Sequence, residues 1–133
     1  MSLNAFAEEM RKHNIGTRDL LLHVRQFIID HAGTIPHNVR REPKSIIESR
    51  FTTAQEAFDS GMLSCGAMAN IAAEVLRNVG YEVRFVHGEC KESVDHAWIS
   101  VRALGDDNWV EFDVTRPALD IPSTHIRKTE VTS

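Results

Sequence analysis

Three side chains in this sequence are of types that together suit covalent catalysis: the thiol of Cys65, the imidazole of His96 and the carboxylate of Asp113. An ionised thiol is a strong nucleophile. An imidazole can take its proton and later return it to a leaving group, and an acid beside the ring holds it in the productive tautomer and orientation. The setting of Cys65 supports this. Ser64 is a good N-cap, and Met68, Ile71, Ala72, Val75, Leu76 and Val79 then recur at three and four residues, with Gly80 placed as a left-handed terminator. Cys65 therefore falls at the first position of a half-buried helix, where orphan amides and the positive dipole end favour a thiolate over a thiol. Taken alone, a single cysteine is more often a small buried hydrophobe. The strands that carry His96 and Asp113 reverse those odds.

After Gly80 the period changes from helix to strand. Tyr81, Val83, Phe85 and His87 alternate with Glu82, Arg84 and Val86, and Gly88 is expected to end the run. Residues 89–94 read as a polar turn containing Cys90, a spectator. Residues 96–102 alternate strictly, with Ala97, Ile99 and Val101 on one side and His96, Trp98, Ser100 and Arg102 on the other. Residues 109–114 alternate again, with Val110, Phe112 and Val114 against Trp109, Glu111 and Asp113. Burying both apolar sets on one face fixes the parity of a hairpin, because a slip of one residue would turn a whole strand over. The tightest hairpin of that parity turns at Leu104-Gly105. It places Ala97 opposite Phe112, Ile99 opposite Val110, and His96 directly opposite Asp113. No functional assumption enters that step.

The preceding elements must deliver the chain to Cys65. Leu3, Phe6, Ala7 and Met10 have helical spacing in a short, uncapped stretch. Thr17 is expected to cap a better helix with Asp19 in its first turn and Leu20, Leu21, Val24, Phe27 and Ile28 as its buried stripe, ended by Gly33. Residues 34–44, with Pro36 and Pro43, read as a long loop, either a plain surface connection or part of a cleft. Residues 45–50 suit one or two helical turns. Thr53-Ala54-Gln55-Glu56 is a capping box leading into Ala57 and Phe58. Beyond Thr115, Pro117 and Pro122 break the periodicity, and residues 117–133 read as an irregular C-terminal tail.

Composition bounds the reading. The chain has 133 residues, 42% hydrophobic and 26% charged, values that suit one soluble globular domain over residues 1–133. A net charge of -4 argues against a general nucleic-acid partner. No apolar run approaches a membrane span, and residues 1–10 lack the pattern of a secretory leader, so we expect a cytoplasmic protein with no membrane partner. The two cysteines are then expected as reduced thiols, although a Cys65–Cys90 disulfide remains open. The seven histidines show no paired ligand spacing with cysteine or carboxylate, so no metal and no cofactor are expected. His23, His31 and His87 read as surface or packing residues, and Asn70 and Glu74 as the solvated helix face.

The order of these pieces resembles the transglutaminase-like superfamily, a branch of the papain-like cysteine enzymes. The matching residues are Ala57 and Gly61 before Ser64-Cys65-Gly66; Ala73; Leu76-Arg77-Asn78-Val79-Gly80-Tyr81; Val83-Arg84-Phe85-Val86-His87-Gly88; His96-Ala97-Trp98-Ile99-Ser100-Val101; and Trp109-Val110-Glu111-Phe112-Asp113-Val114-Thr115. They span residues 53–116, about half the chain. The resemblance implies Cys65 as nucleophile, His96 as base and acid, and Asp113 as the orienting acid. It implies an α+β fold with N-terminal helices and a cysteine-bearing helix packed on a small antiparallel sheet of at least three strands. The chain departs from the family at Leu63, where glycine is usual. It also shows no calcium-site pattern and none of the extra domains of the large animal enzymes, which points away from protein crosslinking.

The expected activity is hydrolysis of amide or peptide bonds in a peptide or protein substrate, through an acyl-enzyme on Cys65. Two alternatives stand beside it: a transglutaminase or deamidase acting on glutamine side chains, and a binding module that keeps the fold without turnover. The Cys65 amide is one oxyanion donor; a second is needed and the sequence does not identify it, the 34–44 loop and the Trp98 indole being the candidates. Trp98, on the His96 face, and Ser64, beside the nucleophile, are candidate substrate-binding residues, with packing and capping as their other roles.

Overall fold

A computed structural model describes residues 2–35, 53–61, 64–90, 93–115 and 126–132. The element order is α1 (Leu3–His13), α2 (Thr17–Thr34), α3 (Ala54–Asp59), α4 (Cys65–Val79), β1 (Glu82–Cys90), β2 (Ser93–Arg102), β3 (Val110–Phe112) and β4 (Ile126–Thr132). The loop and helical turns expected over residues 34–44 and 45–50 lie, apart from Thr34 and Ile35, outside the described residues.

α4 is the hub. Gly66, Ala67, Met68, Ala69, Ile71, Ala72, Ala73, Val75 and Leu76 are all buried, so the helix is enclosed on most of its circumference. Its small residues let α1, α2, α3, β1 and β2 all reach it. Leu76 is fully buried, and cutting it to alanine would cost about 2–5 kcal/mol. Gly80 ends the helix at φ 118, with its amide bonded back to Leu76 and Arg77.

α1 and α2 differ from expectation at their ends. α1 is capped after all, because Ser2 Oγ accepts from the Ala5 amide at 3.1 Å. Thr17 is not a cap: Gly16 holds that position, and the Thr17 hydroxyl pairs with Tyr81 Oη at 2.9 Å, tying the start of α2 to the residue after Gly80. α2 also runs through Gly33 to Thr34. A single helical glycine costs only about 1 kcal/mol, less than the packing of the α2 stripe on α4 supplies. Thr53 caps α3 as expected, its hydroxyl accepting from Glu56 N at 3.2 Å.

The sheet is antiparallel in the order β3-β2-β1-β4. β1 runs past Gly88 to Cys90, so the expected six-residue turn shrinks. The tail expected to be irregular supplies β4, which pairs along β1. An edge strand needs little apolar content, which is why a polar stretch of Thr, Lys and Val could pass for a tail. Val83, Ile99, Val101, Phe112 and Val114 join the helical core, while Val110 lies at the β3 edge and is 39% exposed, contrary to its expected burial. Among the described residues, no helix is long and apolar enough to cross a membrane.

Candidate active site

Cys65 is the first residue of α4, held there by local chemistry. Ser64 Oγ accepts from Ala67 N at 3.3 Å, and the Ser64 carbonyl accepts from Met68 N at 2.9 Å. Ser64 is thus committed to capping. The approach to the helix is shaped by Gly61, at φ 68. A Cβ on Gly61 would meet the Ile35 side chain at 2.9 Å, so both backbone conformation and space require glycine. Cys65 is a half-buried free thiol, so the disulfide alternative does not hold.

His96 stands on β2 and Asp113 directly follows β3. Their pairing arises differently from the sequence expectation. Ile99 faces Phe112 and Val101 faces Val110, a register two residues away from the tightest hairpin. Parity is as expected, so the two residues still share a face, but as a diagonal pair rather than a directly opposed one. Their side chains span the diagonal: His96 Nε2 lies 2.6 Å from Asp113 Oδ2, and the residues are only 8% and 2% exposed. The shift comes from the connection. Gly105 adopts φ 83, Asp106 N bonds Ala103 O at 3.0 Å, and Asp106 Oδ1 accepts from Asn108 N at 3.0 Å, which builds a turn longer than two residues.

The imidazole also hydrogen-bonds Cys65. With Nε2 committed to Asp113, Nδ1 is the nitrogen left to face the thiol. Burial alone would lower the His96 pKa. The hydrogen bonds from Asp113 and Cys65, with the negative charge of both, outweigh it and raise the value to about 10. The ring is therefore held protonated at neutral pH, between Cys65 and the Asp113 carboxylate. β1 approaches this end with Gly88 in register with His96, and the β1–β2 register shifts between Gly88 and Cys90. Such irregularities re-aim side chains beside functional sites.

Trp98 is 1% exposed, its ring centroid 5.8 Å from that of His96 and tilted by 34°. Its indole N–H donates to Glu111 Oε2 at 2.7 Å, so it packs beside the imidazole and does not offer that donor to a ligand. Two partnerships were missed in the sequence, Trp98 with Glu111 and Asp113 with Thr115. The first was signalled by alternation, which puts Trp98 and Glu111 on the His96 face. The second is local: Asp113 Oδ1 accepts from Thr115 N at 3.0 Å and from Thr115 Oγ1 at 2.7 Å. Among the described residues, no group of three or more histidine, cysteine and carboxylate side chains could hold a metal ion.

A half-buried cysteine at a helix start, beside a protonated imidazole that is itself tied to a carboxylate, has the parts that thiol-dependent acyl transfer requires. The family comparison agrees. The model of the transglutaminase-like superfamily matches residues 6–114, and the chain belongs to that superfamily. No curated protein and no solved structure matches it.

Proposed function

We propose that the chain is a cysteine-dependent hydrolase of amide or peptide bonds, with Cys65, His96 and Asp113 as its catalytic residues. The observation that supports this most is the hydrogen-bonded line from the Cys65 thiol through the His96 ring to Asp113. The reacting form is the ion pair in which His96 holds the Cys65 proton; in the first half-reaction the Cys65 thiolate attacks the carbonyl carbon and the carbonyl electron pair moves to oxygen. The Cys65 amide, at the first helical position, donates to that oxyanion. Collapse breaks the C–N bond, His96 Nδ1 gives its proton to the departing amine, and a thioester on Cys65 remains. In the second half, water attacks the thioester while His96 takes its proton; collapse breaks the C–S bond, and the acid leaves with the Cys65 thiolate and the protonated His96 regenerated. Asp113 keeps the ring oriented in both halves.

The test uses the purified chain and a library of peptides read by mass spectrometry. New peptide termini that appear with the native protein and not with Cys65→Ala support hydrolysis of backbone amides. Ammonia release from glutamine peptides without new termini assigns the same machinery to side-chain amides. A Cys65 that alkylates no faster than a free thiol, with neither product formed, overturns the enzyme reading in favour of a binding module.

A further inference from the structure

We infer that Thr115 is a positioning residue of this site, acting through Asp113. The inference rests on the thiol-enzyme reading above. β3 ends at Phe112, so Asp113 stands just beyond the paired strand. Its carboxylate must nevertheless present Oδ2 to His96 across a diagonal. Thr115 supplies the constraint. Its amide at 3.0 Å and its hydroxyl at 2.7 Å both donate to Oδ1, while Oδ2 is left to His96 Nε2 at 2.6 Å. Two of these donors on one oxygen and one on the other constrain both the plane and the rotation of the carboxylate. The amide bond alone forms a local turn between Asp113 and Thr115 that any residue at position 115 could make. The hydroxyl is the part that depends on the side chain. Thr115 is exposed, so its hydroxyl could turn to water; it is directed to the buried carboxylate instead. The chain of influence runs Thr115 Oγ1 to Asp113 to His96 to the Cys65 thiol, and the part of Thr115 is to stop the carboxylate from swinging off the ring.

The test compares Thr115→Val, which keeps the shape and the backbone amide but loses the hydroxyl, with Thr115→Ser, which keeps the hydroxyl. The readout is the rate of iodoacetamide alkylation at Cys65 in the folded protein at neutral pH, with the exchange rate of the His96 Nε2 proton by NMR. Thr115→Val is expected to slow alkylation about tenfold, the value of one hydrogen bond to a charged group, and to speed loss of the Nε2 proton to solvent. Thr115→Ser restores both. A role confined to stabilising the turn would lower the unfolding midpoint and leave both site readouts unchanged, which overturns the inference. Native reactivity that requires His96 but is the same in Thr115→Val overturns this inference alone. A native thiol that reacts like free cysteine overturns it together with the enzyme reading. If Thr115→Val does not fold, Thr115→Ala is measured in its place against the same two readouts.

Discussion

Two histidines of this chain are packed beside aromatic rings, and their surroundings differ in one respect. His31, in the last turn of α2, stacks on Phe58 with centroids 3.8 Å apart and planes 15° from parallel. It ends a ladder in which Phe6 stacks on Phe27 at 3.9 Å and Phe27 on Phe58 at 5.1 Å. Its Nε2 is buried and has no hydrogen-bond partner among the described residues. His96 lies beside Trp98 at 5.8 Å, but its ring bonds a carboxylate and a thiol. Burial against an aromatic ring is common to both. What sets the second apart is the pair of polar groups on its ring, which hold it protonated.

Replacing each histidine by alanine tests that contrast most strongly. His96→Ala should lower amide hydrolysis by about 10⁴-fold, since both proton transfers pass through the ring. His31→Ala should leave the rate per folded molecule unchanged while lowering the urea midpoint. Equal losses of rate in both variants would erase the distinction. Asp113→Asn comes next. The amide fits the space but can present a donor to Nε2, so the ring settles in the wrong tautomer, and kcat should fall about 10³-fold with little change in unfolding midpoint. A wild-type rate would show that some other group orients His96.

The third test reads stability against pH. The folded-state pKa of His96 is raised from 6.5 to about 10. Its contribution to stability is therefore fully present below about pH 6.5 and is lost as pH rises through about 10. The urea midpoint of the native protein should approach that of His96→Gln over this window. A gap that stays constant would mean the ring is not held as an imidazolium. The smallest effect is expected at His31→Phe. This change keeps the stack on Phe58 and removes a buried nitrogen that has no partner among the described residues, so stability should rise by about 1 kcal/mol, seen as a higher urea midpoint with unchanged thiol reactivity at Cys65. A loss of stability would show that the nitrogen is better accommodated than its surroundings indicate.

Different parts of the site were legible in the sequence to different degrees. The placement of Cys65 at the helix start was readable because everything that positions it is local. Ser64 caps, Cys65 comes next, the apolar period begins at once, and Gly80 terminates. Sharing of one face by His96, Trp98, Glu111 and Asp113 was readable too, because strand alternation has a period of two and parity is set by which residues must be buried. The actual register was not. A shift of two residues preserves parity and leaves the apolar pattern equally satisfied, so the choice fell to the turn, where Asp106 and Gly105 build a longer connection. β4 was hidden for a related reason, since an edge strand is recruited by the open side of β1 and its own pattern is weak.

The sequence by itself determined which residues could act and the faces they occupy, because helix starts, caps and strand parity depend on neighbours a few positions away. Only the tertiary structure decided that His96 and Asp113 meet on a diagonal, that Cys65 reaches the same imidazole, and that the Trp98 indole is spent on Glu111. Those contacts join residues distant in the chain, and a shift of one hydrogen-bonded pair along the ladder changes them without disturbing any local preference.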